Sequence, residues 1–578
     1  MRVVARVVTA ALAAGLLLAP GASAAKPKRS LTVGLVSKSQ DKLLRANRVT
    51  ASVYSKRRGR VRVTAVARST ASRGHGRRVA VTRVVAFRKA GRKHVTLKLT
   101  ATGRRVLSAC GGRRMVLGAR LKGARRSVTA SDVLRIDRGA CQTQTTADIT
   151  TRNADRCDYL DPSYCLYPWP NDFFTKPDES TPTGERLNLN RQSTPANTAG
   201  VHIDPSDQNR ADGFSPGNLL VTHVPGMDNQ EAWQRTGAVP ITDIARYADT
   251  DQPVVVINAD TGRRQPIWTE LDVNATEPSK ANLIIRPARN WDEGARYLVA
   301  LRNLKTKDGK TIDPQPEFRA FRDRLTTKDA AFEARRAHME DVIGRLAQAG
   351  IARDDLYLAW DFTVASEKSL AGRMLKIRDD AFAQLGDTDL ANGKVDGSAP
   401  NFVVTKVDDL APCGSDGCQS GEDDKIGRRV TGNILVPCYL DAPGCPPGSR
   451  FNYAGSTPGV PAQLPGNTAL APFVCDIPRQ QTDSGAPPAR PSLYGHGLLG
   501  SADEVNAGNV ESMAQEHNFV FCATDWAGMS QSDIPNVAHL LIDLSDFPTL
   551  ADRTQQGMLN FLYLGRAMVH PQGFDANP

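Results

Sequence analysis

Apolar and polar residues alternate one for one along the first quarter of the chain. Arg60-Val-Arg-Val-Thr-Ala-Val-Ala-Arg68 and His94-Val-Thr-Leu-Lys-Leu-Thr100 each turn one face to a core and the other to water, the period-two pattern of half-buried strands. Glycine breaks at Gly74-His-Gly76 and Gly111-Gly112 separate the runs. The pattern predicts a β-sandwich over 25–141, followed by a Thr-rich polar linker over 142–156. From Cys157 to Asp323, turns rich in Pro, Gly and Asp divide short strands such as Val254–Asn258 and Ala281–Arg286. The period then lengthens. Phe332, Met339, Val342, Ile343 and Leu346 recur at three- and four-residue steps, predicting a helix with Thr327 as cap and Gly350 past its end. Leu356 to Val364 alternates as a strand, and a helix from Ser366 places Leu370, Met374, Ile377 and Leu385 on one side. These elements predict a β-rich domain with helices over 157–395, closed by polar loops over 387–425. Beyond Arg428, apolar runs at 429–440, 468–478, 490–497 and 518–526 alternate with helical stretches. Such alternation predicts a doubly wound, mostly parallel sheet over 396–578. The expected class is multidomain α+β with these three architectures.

Charge divides the chain more sharply than hydropathy does. Residues 26–140 hold 32 Lys and Arg against three acids (Asp41, Asp132, Asp137), whereas 141–578 holds 40 basic and 58 acidic residues. A folded β unit so cationic attracts polyanions over long range. Few aromatics interleave with its arginines, which argues against nucleic acid and for anionic cell-wall polymers or lipid headgroups. Residues 1–24 read as a secretory signal peptide: Arg2 and Arg6 are basic, Val7 to Leu18 apolar, and Ala22-Ser23-Ala24 a small-residue cleavage pattern. No later apolar stretch reaches the ~18 residues of a membrane-spanning helix, so a secreted protein is expected. Its ten cysteines then read as disulfides. Spacing pairs Cys110 with Cys141, Cys157 with Cys165, Cys413 with Cys418 and Cys438 with Cys445, leaving Cys475 and Cys522 on two apolar runs to cross-link neighbouring strands. The competing reading of Cys413 and Cys418, a calcium site with Glu422, Asp423 and Asp424, matches no EF-hand loop.

The strongest chemical signal is Pro491-Ser-Leu-Tyr-Gly-His-Gly-Leu-Leu-Gly500. A strand running into His496-Gly497, with a helix after it, presents backbone N–H groups suited to an oxyanion. A plain glycine-dependent strand-to-helix turn is the competing interpretation. Gly213-Phe-Ser215-Pro-Gly217 matches G-x-S-x-G but is rejected, because Pro216 lacks the N–H that an oxyanion hole needs. Ser530, in Gly528-Met-Ser530-Gln-Ser532, is a second nucleophile candidate, with His496 or His570 as base. The loop from Gly528 to Ser532 reads as lying over a cleft and is expected to touch substrate. His338, beside Glu340 and Asp341, reads as a solvated helix face, and His517 and His539 as structural. No zinc-spaced histidines and no phosphate loop occur, so neither metal nor cofactor is expected.

Tyr167-Pro-Trp-Pro-Asn-Asp-Phe173, Asp212-Gly-Phe-Ser-Pro216, Tyr297-Leu-Val-Ala-Leu301, Lys307-Asp-Gly-Lys310 and Leu358-Ala-Trp-Asp-Phe-Thr363 together resemble the N-terminal domain of bacterial virulence-factor-type lipases. Tyr494-Gly-His-Gly-Leu-Leu-Gly500 and Asp525-Trp-Ala-Gly528 resemble the first half of the same group's α/β-hydrolase domain. The resemblance covers 155–578 and implies a secreted serine esterase or lipase that cleaves ester or lipid-like small molecules by acyl transfer, with His496, Gly497 and Leu498 in its oxyanion loop and Trp526 and Gly528 near the substrate cleft. The family's serine elbow, acid and catalytic histidine would follow Pro578, so the resemblance implies a partial α/β-hydrolase domain in which no residue inherits those roles, either a fragment of a longer hydrolase or a truncated product that cannot cleave esters. The alternative, from another class, is a non-catalytic envelope-binding protein acting through its cationic domain.

Overall fold

The alternating runs of the first unit, Met1–Gln144, fold as antiparallel strands. These are β1 (Leu31–Leu35), β2 (Arg48–Ser55), β3 (Gly59–Ser69), β4 (Arg77–Arg78), β5 (Arg83–Phe87), β6 (Gly91–Lys98), β7 (Arg113–Leu121) and β8 (Val128–Leu134). They form two sheets, β1-β2-β6 and β4-β3-β7-β8, with β5 also on β3. Alternate residues point inward. Val49, Ala51 and Val53 of β2 share one core with Val61, Val63 and Ala65 of β3, Leu97 of β6, and Met115, Leu117 and Ala119 of β7. Helices α1 (Gln40–Arg45) and α2 (Ala101–Ser108) lie between strands. This computed structural model describes residues 30–69, 76–108, 112–124, 126–136, 147–455, 459–482 and 484–574. The expected signal peptide, Cys110, Cys141 and positions 142–146 lie outside the described residues.

The second unit, Thr145–Pro578, contains several cores. The first is built on β9 (Thr175–Pro177), β10 (Glu185–Leu187), β11 (Leu220–His223), β12 (Val254–Asn258), β13 (Ile267–Leu271), β14 (Asn282–Pro287), β15 (Arg296–Arg302) and β16 (Leu356–Thr363), with α3 (Gln230–Thr236), α4 (Pro316–Arg322) and α5 (Ala330–Gln348). Small antiparallel sheets β11-β14-β13 and β12-β15-β16 carry it. Helix α5 buries Phe332, Met339, Val342, Ile343 and Leu346, the residues whose spacing predicts it. Its cap is Asp329 rather than Thr327: the Asp329 carboxylate accepts the Phe332 N–H at 2.8 Å, while Thr327 donates to Glu333. Strand β16 departs from its alternating pattern, since all eight residues are buried. Helix α5 and the turn Asp172–Phe174 cover it where the pattern expects water. Helix α6 (Glu367–Gln384) starts at the Ser366 cap as expected, but of its expected inner face Leu370 is exposed while Ile377 is buried.

The doubly wound, mostly parallel sheet expected over 396–578 is not what forms. Strands β17 (Phe402–Asp409), β18 (Ile426–Pro437), β21 (Thr468–Pro478), β22 (Arg490–Tyr494) and β23 (Phe519–Thr524) pair in the order β17-β18-β21-β23-β22, and β19 (Tyr453–Ala454) pairs with β20 (Val460–Pro461). The β17/β18, β18/β21 and β21/β23 pairs are antiparallel, and only β22/β23 is parallel. Apolar runs separated by long segments look like crossovers in the sequence. The segment 410–425, pinned by Cys413–Cys418, and the segment 438–467, which starts at Cys438–Cys445 and carries the short β19/β20 pair, instead return the chain antiparallel. Only the stretch between β22 and β23, containing α7 (Gly508–His517), is a helical crossover of the βαβ kind. Helices α8 (Ile534–Leu540) and α9 (Pro548–Val569) follow. Two further cross-links complete the described set: Cys157–Cys165, and Cys475–Cys522, whose residues stand directly opposite each other on β21 and β23. Among the described residues no helix is long and apolar enough to cross a membrane.

Phe332 stacks on Phe321 with ring centroids 3.9 Å apart, and both are fully buried. Phe332→Ala should remove about 3–5 kcal/mol of stability by leaving a cavity, read as a lower midpoint in denaturant unfolding of the full chain.

Candidate functional site

Two regions concentrate functional chemistry. The first is the outer face of the β3–β7 pair. Inward-pointing apolar residues leave the alternate positions facing outward, and these are Arg60, Arg62, Thr64, Val66 and Arg68 on β3 and Arg114, Val116, Gly118 and Arg120 on β7. Arg62 stands directly opposite Arg120 and Arg68 opposite Arg114, while Arg48 of β2 faces Lys98 of β6. All six are exposed. Among the described residues none of these six has a carboxylate partner, whereas Asp132 of β8 pairs with Lys38 at 2.6 Å. Like charges directly opposite on a sheet destabilise it. The arrangement therefore creates a dense positive field at the expense of stability.

The second region lies at the C-terminal ends of the parallel strands β22 and β23, where two loops meet. The Leu499 N–H donates to the Met529 carbonyl and the Gln531 N–H to the Gly500 carbonyl, both at 2.7 Å. The Asp525 carboxylate accepts the Ala502 N–H at 2.8 Å. The structure thus brings His496, Gly497, Leu498, Trp526, Gly528 and Ser530 into one neighbourhood. Their bonding differs from the expected roles. His496 Nε2 accepts the Trp526 N–H at 2.9 Å, and its Nδ1 lies 2.7 Å from the Gly497 carbonyl. Both ring nitrogens are engaged, which describes a neutral imidazole protonated on Nδ1. The Gly497 N–H donates to a Glu504 carboxylate oxygen at 2.9 Å, so the turn already holds an anionic oxygen. Leu498 is 76% exposed.

Ser530 is 1% exposed, and its hydroxyl is shared between Ser532 Oγ at 2.8 Å and Asp533 Oδ2 at 3.0 Å. It is the cap of the turn Gln531–Asp533, in a reciprocal arrangement with Asp533. Buried Asp533 also accepts the Gly528 N–H and pairs with Arg553 at 2.6 Å. His570 is tied to the Gly397 carbonyl and to the Gln572 N–H. Trp526 donates from Nε1 to the Thr554 carbonyl and packs its ring on Phe561. Gly528 has φ +88°, and a Cβ there would come within 2.6 Å of the Thr554 backbone. A side chain on Gly557 would meet the Trp526 ring at 2.4 Å. Both glycines let helix α9 close against this loop. Ser215 lies in a turn, as expected, with its Oγ accepting the Gly217 N–H. The acids beside Cys413 and Cys418 serve loop backbone: Asp424 accepts the Cys413 N–H, Asp423 the Lys425 and Ile426 N–H groups, and Glu422 that of Gln419. The two sulfurs are joined to each other.

One ionisable cluster escapes the sequence reading. His338 donates from Nε2 to Asp361 at 2.8 Å, and Asp361, fully buried on β16, also pairs with Arg296 at 2.6 Å. Asp172 accepts the Thr363 N–H and hydroxyl at 2.7 and 2.8 Å. Burial, then the Asp361 charge, pushes the Asp172 carboxyl up to about 7. The spacing of His338 from Glu340 and Asp341 looks solvated because its true partner is distant in sequence.

No protein-family model matches the chain, and no curated protein matches it. Among solved structures, one described as "Biofilm associated protein - BSP domain" is similar over 81% of this chain and 97% of its own, at 10% identity and a TM-score of 0.14, which carries no argument about fold or function.

The raised carboxyls set a pH dependence. Burial also lifts Asp552 to about 6, so folded Asp172 and Asp552 retain protons that unfolded aspartates have lost. Their folding contribution therefore improves as pH falls. His338 is raised by its bond to Asp361; its contribution is complete below the unfolded histidine value of about 6.5 and is lost as pH rises through the folded value. Thermal unfolding between pH about 8 and 5.5 should show Tm rising on acidification, with a shallower slope in Asp172→Asn. A Tm that falls throughout this window would contradict the assignment.

Proposed function

We propose that this protein binds a linear polyanion at the outside of the cell through its cationic β unit. The observation that carries this reading is the facing of arginine by arginine at Arg62/Arg120 and Arg68/Arg114. Where stability alone is at stake, facing positions on an exposed sheet favour opposite charges or threonine. A bound anionic chain would supply the missing countercharge along the same direction as the strands. Arginine suits this task, since its planar fork grips phosphate and carboxylate at two points. Four disulfides among the described residues, each within the second unit, support an oxidising, extracellular setting. The chemistry fits anionic wall polymers or anionic lipid headgroups.

The test couples binding to stability. The double variant Arg62→Thr, Arg120→Thr should bind isolated envelope polymer at least about tenfold more weakly at ~50 mM salt, with a smaller salt slope than the parent. The same variant should be more stable by roughly 0.2–1 kcal/mol, because a repulsive pair is removed. Unchanged binding by the variant, or parent binding insensitive to salt between ~50 and ~500 mM, refutes the reading.

A second reading, carboxylic ester hydrolysis, is favoured by the Gly497 N–H, which already stabilises an anionic oxygen beside the loop of Trp526 and Ser530. Glu504 would then be the group that a reacting oxyanion displaces. The turn takes the anion-binding role, and the nucleophile is not Ser530, which caps a buried turn. Short nitrophenyl esters test it: turnover by the full chain that rises in Glu504→Gln supports the reading, and no turnover above buffer in either protein disposes of it.

A further inference from the structure

The groove between helix α5 and the turn Asp172–Phe174 encloses a cavity of about 260 Å³. Arg335 and His338, three residues apart, reach the same side of the helix. Tyr159, Asp172 and Phe173 make the facing wall. This volume is below the ~300–1,000 Å³ of drug-sized sites, so it suits a single ring.

The charges on the lining are matched by the protein itself. Arg335 holds Asp158 with both terminal nitrogens, at 2.7 and 2.9 Å. His338 is matched by Asp361, which Arg296 also serves. Asp172, raised to about 7 by burial, carries only part of a charge near pH 7. An ionic ligand therefore meets little uncompensated charge. Hydrogen-bonding capacity remains. His338 is exposed, and its Nδ1 has no partner among the described residues. Asp172 is half-buried, and Tyr159 Oη, with the Arg335 guanidinium beside it, makes no hydrogen bond of good geometry. Phe173 contributes a half-buried ring whose apolar surface continues onto Tyr159. Polar atoms without net charge at one end and aromatic surface at the other match a molecule with a C–H face and several hydroxyls.

We infer that this cavity binds one neutral, pyranose-sized sugar ring, with its hydroxyls on His338 Nδ1 and the Asp172 carboxyl and its apolar face on Phe173. The site is independent of the cationic unit. Such a ring reaches it either as a free monosaccharide or as the terminal residue of a wall glycan.

The experiment titrates the full chain with methyl glucoside, methyl galactoside and methyl mannoside, followed by calorimetry and saturation-transfer NMR. Glucuronate and glucosamine serve as charged comparisons, and maltotriose as a glycan end. At least one neutral glycoside should bind with Kd of about 0.1–10 mM. Phe173→Leu, which keeps bulk but loses the ring, and His338→Gln should each weaken it at least about fivefold while circular dichroism stays native. Maltotriose binding more tightly than methyl glucoside identifies a glycan terminus, and equal or weaker binding identifies the free sugar; both agree with the proposal. It is overturned if no neutral glycoside binds at ~50 mM, if both variants bind as the parent does, or if either charged sugar binds about tenfold more tightly than every neutral one.

Discussion

Asp361 sits on a strand with no exposed face, and a lone buried carboxylate costs several kcal/mol. Its partners come from two different elements, Arg296 on the neighbouring strand β15 and His338 on helix α5. Keeping this charge paired therefore fixes where α5 lies along the sheet. With His338 held over Asp361, the helix presents Phe332, Met339, Val342, Ile343 and Leu346 to the core and Arg335 to Asp158. Asp158 in turn accepts from Asn171 at 2.6 Å, drawing in the turn that carries Asp172. Asp172 is fastened to Thr363, two residues beyond Asp361. Poor solvation, then the Asp361 charge, makes Asp172 harder to ionise and raises its carboxyl to about 7. The cavity and its mixed hydrogen-bonding groups are by-products of that constraint.

Elements governed by local periodicity were legible in the sequence. Alternation in Arg60–Arg68 and His94–Thr100 became β3 and the end of β6, and the five apolar positions of α5 all face inward. Four cysteine pairs chosen from short spacing and apolar context formed. What depended on distant partners was not legible. Strand β16 looks one-sided until α5 covers its other face, and His338 looks solvated until Asp361 is placed behind it. Strand direction was the largest error. Nothing within a run of apolar residues states which way the chain enters the sheet, and loops closed by Cys413–Cys418 and Cys438–Cys445 reverse it where helical crossovers are expected. At the β22/β23 ends the sequence located a genuine meeting of loops but not its bonding, because Glu504 and Asp533 take the donors that a motif leaves open.

Arginine makes the contrast between the two units concrete. In the second unit it is a clamp. Arg553 on Asp533, Arg335 on Asp158 and Arg566 on Asp387 are all largely buried, and each joins segments far apart in sequence. Removing either member would strand a buried charge, so these pairs act on stability and position rather than on ligands. In the first unit acids are too scarce to pair most of the basic residues, and burial of unpaired guanidinium groups is prohibitive. Alternation then forces every arginine on β3 and the outward ones on β7 to the same solvated face. The acid-to-base ratio of each segment, visible before any fold is known, thus decides whether the same side chain becomes an internal tie or an external contact. A face assembled in that way has no internal means of neutralising its field. Its countercharge has to come from solution.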